Sequence, residues 1–365
     1  MPANEDGVTR RGALALAGAG ALTAAGTPAA LAASTTLRGR EAPKVADPGI
    51  WHGDLWYPYV ANGTVFTRSV SAMPLATNSA AMAARMPNLT QNSYGVVTSL
   101  NTTSYNIPTY VVDSTIAGCP FTTMTASNAS AGSTLAAHVN GRIPLPPYAT
   151  PAGGGDSSMA VYDRGTGIMR EYFLCRKQSD GTWTAATGGY YVAAPRFTNL
   201  PTANYSMELT EGSSAVVAML NPLMQVGISE ARNGVIGHAL DFTITNARSG
   251  VVSWPAKQSD GTDSNVDTPA EGQWFRFPPT LDLDTLGLRP FTLLLARAAQ
   301  KYGGMAGDKN LFCHAFNVEH PATEIQRTGS NPWATDILAK YGSLDVNDFP
   351  WAHTQWAPVG WGKPA

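Results

Sequence analysis

Charge is scarce in this sequence: 14% of its 365 residues are Asp, Glu, Lys or Arg, and the formal net charge is −2. A chain so nearly neutral carries no basic stripe, which excludes the phosphate-neutralising footprint of a nucleic-acid-binding protein. Cysteine is sparse too. The three thiols, Cys119, Cys175 and Cys313, cannot all pair within one chain, and their spacing fits neither a disulfide framework nor a metal knuckle. Each lies beside apolar or aromatic residues (Pro120 and Phe121, Phe173 and Leu174, Leu311 and Phe312), which points to buried thiols in strands. No window approaches the ~18 consecutive apolar residues of a membrane span, so no anchor is expected once the leader described below is removed. Internal repeats, a phosphate-binding loop and the G-x-S-x-G elbow of serine esterases are missing as well. His314, Glu319 and His320 match neither H-E-x-x-H nor H-x-x-E-H. The expectation is a protein with no metal and no cofactor.

What is present begins with an export signal. Thr9-Arg10-Arg11-Gly12-Ala13-Leu14 precedes an uncharged stretch rich in Ala and Gly that runs to Leu22, and Ala30-Leu31-Ala32 supplies an A-x-A cleavage site. Paired arginines before a weakly hydrophobic core predict a twin-arginine signal peptide over residues 1–32 and a secreted, extracellular product. Residues 33–47 are small, polar and charged and read as a flexible leader; residues 48–365 read as a single β-rich domain, expected to be a monomer.

Within that domain, runs of Thr, Val, Tyr and Ile recur between turn signals: Gly95–Leu100, Thr109–Val112, Ser158–Tyr162, Ile168–Lys177, Trp183–Thr187 and Tyr190–Val192. This spacing predicts a mainly β fold, a jelly-roll-like β-sandwich with one or two short peripheral helices. The clearest hairpin joins Ser158–Tyr162 to Ile168–Lys177 through Asp163-Arg164-Gly165-Thr166-Gly167, and a second turn falls at Ser179-Asp180-Gly181. The Pro- and Gly-rich stretch Ile143–Asp156 reads as a loop between sheets. Helices are predicted over Ser79–Met86, as a single turn at Ser229–Asn233 closed by Gly234, and after Pro290. There Phe291, Leu294, Leu295, Ala298 and Tyr302 share one face and Gly303 ends it.

Strand parity selects the residues with chemistry. In Ile168–Lys177, Glu171 falls on the face of Met169, Phe173 and Cys175, so its carboxylate is either paired or lines a cleft. In Val235–Thr245, His238 shares a face with Leu240 and Phe242, while Asp241 lies on the other. Arg276 follows Trp274 at i+2, where an arginine pairs with a carboxylate or stacks on a ring. Glu171, His238 and Arg276 are therefore the candidate catalytic residues, as acid or base, orienting group and positive charge. Asp54 or Asp241 would supply a second carboxylate. Asp282 and Asp284 read as the approach to the long helix. Trp56, in the aromatic segment Trp51–Tyr59, with Tyr172 and Trp274, are the candidate substrate-binding residues.

Several ordered blocks carry a resemblance. Val161-Tyr162-Asp163 with Gly167, Glu171-Tyr172-Phe173, Gly234 through Leu240, Ser253-Trp254-Pro255-Ala256, Ser259-Asp260-Gly261-Thr262, Glu271-Gly272 with Arg276, and Lys301-Tyr302-Gly303 are its elements. Over about residues 160–308 the chain thereby resembles a group of exported bacterial proteins common in actinobacteria, in which a tryptophan often stands where this chain has Arg170. That resemblance implies a secreted β-sandwich protein of carbohydrate-rich surroundings. With nine tryptophans and thirteen tyrosines available to line a sugar cleft, the expected function is a secreted carbohydrate-active enzyme, a glycoside hydrolase or polysaccharide lyase. Its expected partner is a polysaccharide or oligosaccharide. The rival expectation is a non-catalytic glycan-binding or cell-surface protein.

Overall fold

A computed structural model of the chain describes residues 48–50, 65–90, 94–127, 136, 139–192, 214–219 and 221–363. These residues are built mainly from strands, fourteen in all, arranged in three mixed sheets with short helices around them. The largest sheet has the spatial order β1 (Thr98–Asn101), β13 (His314–Asn317), β10 (Leu240–Ile244), β12 (Gly304–Lys309), β11 (Trp274–Arg276) and β14 (Gln355–Trp356). A second runs β2 (Thr109–Val112), β5 (Met159–Asp163), β6 (Ile168–Phe173), β9 (Thr187–Val192). The third runs β4 (Gly141–Pro144), β3 (Phe121–Ala126), β8 (Trp183–Ala185), β7 (Arg176–Lys177). Every sheet contains a parallel pair: β1 with β13, β10 with β12, β2 with β5, β3 with β8. Parallel neighbours need a crossover connection, which a succession of hairpins does not provide.

Alternation along the strands divides the apolar side chains among three cores. Val111, Ala160, Tyr162 and Met169 of the second sheet join Trp274 and Met305 of the first in one cluster. The opposite face of the second sheet, with Tyr110, Met159, Val161 and Tyr172, packs with Met124, Ile143 and Trp183 of the third. The other face of the six-stranded sheet, with Leu240, Phe242, Phe275 and Phe316, is covered by Phe291, Leu294, Leu295 and Ala298. Those four belong to the helix Pro290–Tyr302, which Gly303 ends as its sequence signals require. Each fully buried aromatic of this kind contributes about 2–3 kcal/mol of transfer free energy. The helix Ser79–Arg85 and the short helix Ile228–Asn233, capped by Gly234 in the left-handed region, also fall where the sequence places them.

The expected hairpin is β5–β6, with Asp163 opposite Ile168. Its turn is organised by the Asp163 carboxylate, which accepts from Ser114 N (3.0 Å), Ser114 Oγ (2.6 Å), Gly165 N (3.1 Å) and Thr166 Oγ1 (2.7 Å). Burial alone would raise the pKa of this group; the four donors outweigh burial and hold it below the ordinary value. Asp163→Asn is expected to cost about 1 kcal/mol at pH 7. A depressed carboxylate stabilises above its unfolded pKa, so the difference from the native chain should fade as pH falls through the folded value, below 3.8. Urea unfolding at pH 7 and pH 3 measures both; a penalty independent of pH would contradict the account. The strand expected to run to Lys177 instead stops at Phe173. Leu174 takes φ 55°, and the chain turns away to resume as β7 in the third sheet.

Candidate active site

Between the six-stranded sheet and the second sheet the apolar cluster gives way to polar groups. Asp241 projects from β10 on the face opposite Leu240 and Phe242, as its parity requires, and is buried. Asn317 donates to its Oδ2 at 2.7 Å and in turn accepts from Asn101 at 2.9 Å, so a polar row crosses three adjacent strands. From the facing sheet, Glu171 on β6 lies on the side of Met169, and its carboxylate accepts from the hydroxyl and backbone N–H of Ser214. Burial raises the Asp241 pKa to about 8, the bond from Asn317 opposes that, and the negative charges of Asp308 and Glu171 add to it. Asp241 is therefore a neutral acid at pH 7.

Asp308 reaches this face through an irregularity in β12. Phe242 is opposite Ala306 but Thr243 is opposite Asp308, so Gly307 is an extra residue in the ladder. Simple alternation would put Asp308 with Ala306, on the helix-covered side; the bulge brings it into register with Thr243, on the side of Asp241. Asn221 holds the bulge by donating to the Gly307 carbonyl at 2.5 Å, with the same nitrogen 3.5 Å from Asp241 Oδ1. Asp308 also acts on Glu271. That buried carboxyl accepts from Asp260 N at 2.9 Å. Burial pushes its pKa up to about 8, the Ser259 hydroxyl opposes the shift, and the charges of Asp308 and Asp260 reinforce it. At the outer side Asp260, half-buried, faces Lys309 Nζ at 3.5 Å. The charge of Asp308 thus acts on two buried carboxyl groups, Asp241 and Glu271, both shifted toward the neutral form. Such an arrangement can donate a proton and stabilise developing positive charge.

The hydrogen bonds described for the three expected catalytic residues do not link them to one another. Glu171 alone joins the acidic group. His238 precedes β10 rather than lying within it, and its buried ring has Nε2 2.9 Å from Glu230 Oε2 and Nδ1 2.7 Å from the Ala239 carbonyl. Both nitrogens face acceptors, an arrangement that favours the protonated ring: burial lowers its pKa, and the Glu230 carboxylate more than reverses that. Glu230 also accepts from Gly227 N and Gly237 N, so the pair fastens the short helix Ile228–Asn233 to the start of β10. Arg276 donates Nη1 to the Val70 and Ser71 carbonyls, each at 2.5 Å, and Nε to Gln355 at 3.1 Å, binding a loop and β14 to β11. These engagements assign His238 and Arg276 to the framework.

Of the expected substrate-binding aromatics, Tyr172 and Trp274 are fully buried, Tyr172 against the third sheet and Trp274 against the second. Neither ring offers a face to a polysaccharide. Trp56, like Asp54, lies outside the described residues. Asp282 caps the turn Leu283–Leu286 and Asp284 pairs with Arg297. His314 Nε2 sits 2.9 Å from the Met86 carbonyl, and Glu319 accepts from Ile228 N. Among the described residues no group of three His, Cys, Asp or Glu is placed to hold a metal ion, and no helix is long and apolar enough to cross a membrane. The three cysteines are buried free thiols. A groove of about 440 Å³ between β1 and the segment 331–346, lined by Leu100, Trp333, Leu338, Asp345 and Val346, contains none of Glu171, Asp241, Glu271 and Asp308.

Of the two second carboxylates that the sequence offers for Glu171, Asp241 joins it and Asp54 lies outside the described residues; as candidate site groups, Glu271, Asp308, Asn221 and Asn317 are not singled out by the sequence. The dipeptide Gly307-Asp308 within a strand was the available signal, since an interior glycine marks bulges. No family model, curated protein or solved structure matches this chain.

Proposed function

We propose that this protein is a secreted carbohydrate-active enzyme that hydrolyses glycosidic bonds of a polysaccharide. The observation that supports it is the pair of carboxyl groups held neutral to about pH 8, Asp241 and Glu271, with Asp308 acting on both. Glycosidic cleavage needs a proton donor for the leaving oxygen and a carboxylate that stabilises the oxocarbenium-like transition state or activates water. Glu271, beside the half-buried Asp260 and Lys309, is the assigned acid, and Asp308 the carboxylate. Hydrolysis is preferred to elimination because His238 and Arg276, the groups a lyase would use, are committed to framework contacts. The twin-arginine leader is the ground for export. The resemblance to exported actinobacterial proteins points to sugar-rich surroundings, and its blocks contribute Glu171 and Glu271 to the acidic group. In this reading the six-stranded sheet and the second sheet, which share one apolar cluster, are the layers of a jelly-roll-like sandwich.

The rival reading, a glycan-binding protein without turnover, is favoured by one fact: Glu171, Asp241 and Glu271 are 0%, 1% and 0% exposed. Incubating the purified protein with neutral and uronic polysaccharides separates the two. The expected result is new reducing ends without the ultraviolet-absorbing product of elimination, and their disappearance in Glu271→Gln. Glycan binding with no cleavage across the panel would leave the binding reading in place of the enzymatic one.

A further inference from the structure

Arg68 follows the turn Val65–Thr67, in a stretch with no sequence motif. Its guanidinium carbon lies 4.6 Å from the ring centre of Trp361 and 6.0 Å from that of Trp274, and the two indoles meet edge to face at 5.5 Å. Gly362 closes one side: a Cβ there would lie 2.5 Å from Arg68 Nη2 and 3.2 Å from Cζ3 of Trp254. Trp254 and Trp361 are half-buried against the apolar cluster to which Trp274 belongs. Arg68, also half-buried, sits where this aromatic group meets the surface.

The guanidinium is held by ring faces. Among the described residues Nε and Nη2 of Arg68 are buried with no hydrogen-bond partner, and so is Nε1–H of the adjoining Trp274. Arg276 shows how the same fold treats an arginine used for structure, with donors taken by two carbonyls and Gln355. Three donors without one acceptor in a half-buried aromatic setting are costly as they stand, and a ligand rich in acceptors would relieve them. Because a guanidinium stays charged and presents its N–H groups as a planar fork, the fitting acceptor is a carboxylate, bound through both oxygens. Indole faces beside the fork suit the apolar C–H face of a sugar ring.

We propose that Arg68, flanked by the half-buried Trp254 and Trp361 and backed by the fully buried Trp274, binds the carboxylate of a hexuronate residue in an acidic oligosaccharide, with only Trp254 and Trp361 meeting the sugar. The sugar ring in this assignment rests on the carbohydrate reading above; the fork and the missing acceptor do not, and no hydrolytic step is required. The site would give a protein of low overall charge a preference for acidic over neutral glycans.

Titration of the full chain with a galacturonate trimer, followed by tryptophan fluorescence and calorimetry, tests this against a neutral galactose trimer. The expected result is saturable binding of the acidic trimer, at least tenfold tighter than the neutral one, with a change in tryptophan emission. Arg68→Gln should weaken the acidic trimer at least tenfold without lowering Tm, because it removes an unpaired buried charge. Arg68→Lys keeps a charge of similar reach but loses the fork, and should weaken binding at least fivefold. Equal affinity for the two trimers, or acidic-trimer affinity unchanged in both variants, would overturn the proposal. The same titration in Glu271→Gln distinguishes the two readings: hexuronate binding with no hydrolysis by the native chain ends the enzymatic reading and keeps this site, whereas hydrolysis with no acidic preference does the reverse.

Discussion

Gly307→Ala should destabilise the protein by about 3 kcal/mol or more, the range of a buried overpacking substitution that cannot relax. A Cβ at this position would overlap Oδ1 of Asp241 and lie 2.8 Å from Nδ2 of Asn221. Neither neighbour can yield easily. Asp241 is fixed by Asn317 on its other oxygen, and Asn221 is bonded to the carbonyl of Gly307 itself. A methyl group here therefore displaces the acid or straightens the bulge, and a straightened bulge would return Asp308 to the apolar, helix-covered side of the sheet. Urea unfolding measures the loss. The double variant Gly307→Ala with Asp241→Ala, which removes the obstructing carboxylate, should recover part of it, since contacting residues are not additive. Full additivity would mean that the methyl meets some other obstacle.

Asp241→Asn should reverse the usual cost of altering a buried residue. The carboxyl titrates near pH 8 in the folded chain against an ordinary value of 3.8, so between those limits the folded state retains a proton that the unfolded state has released. Stability from this group is fully present below about pH 4 and declines as pH rises, by no more than about 1.4 kcal/mol per pH unit. Asparagine keeps the shape and still accepts from Asn317 but does not ionise. The variant should match the native chain at pH 4 and exceed it by about 2 kcal/mol or more at pH 8, with a flatter profile between. Glu271, shifted in the same direction, leaves some slope in both. Parallel pH profiles for the two proteins would show that Asp241 ionises normally and would remove the main support for a neutral acid in this site.

The legible parts of this protein are those with a local cause. The helix Pro290–Tyr302 was readable from its apolar stripe, its first proline and its closing glycine. The β5–β6 hairpin was readable from Asp163 and Gly167, and the side taken by Glu171 from simple alternation. The same alternation set Asp241 on the side away from Leu240 and Phe242. At His238 the strand it assumed begins only at Leu240, and the buried ring is claimed by Glu230, eight positions earlier. For Arg276 alternation could not name the acceptors, the carbonyls of Val70 and Ser71 and the side chain of Gln355. It could not reach Asp308, because one inserted residue inverts every later side of a strand. Arg68 carried no signal, since the tryptophans around it come from segments far along the chain.

By itself the sequence determined the scarcity of charge and cysteine, the β-rich character, the principal helix, the tight turns and the inward side of Glu171. All follow from interactions within a few residues, or from the period of two that any strand imposes. Tertiary structure alone decided which polar groups share a dry interior, because burial and long-range charge set a pKa and neither is a property of neighbours in the chain. The acidic group at the Gly307 bulge and the open guanidinium of Arg68 both arise that way: their partners, or the lack of one, are set by sheets and loops that meet only when the whole chain is folded.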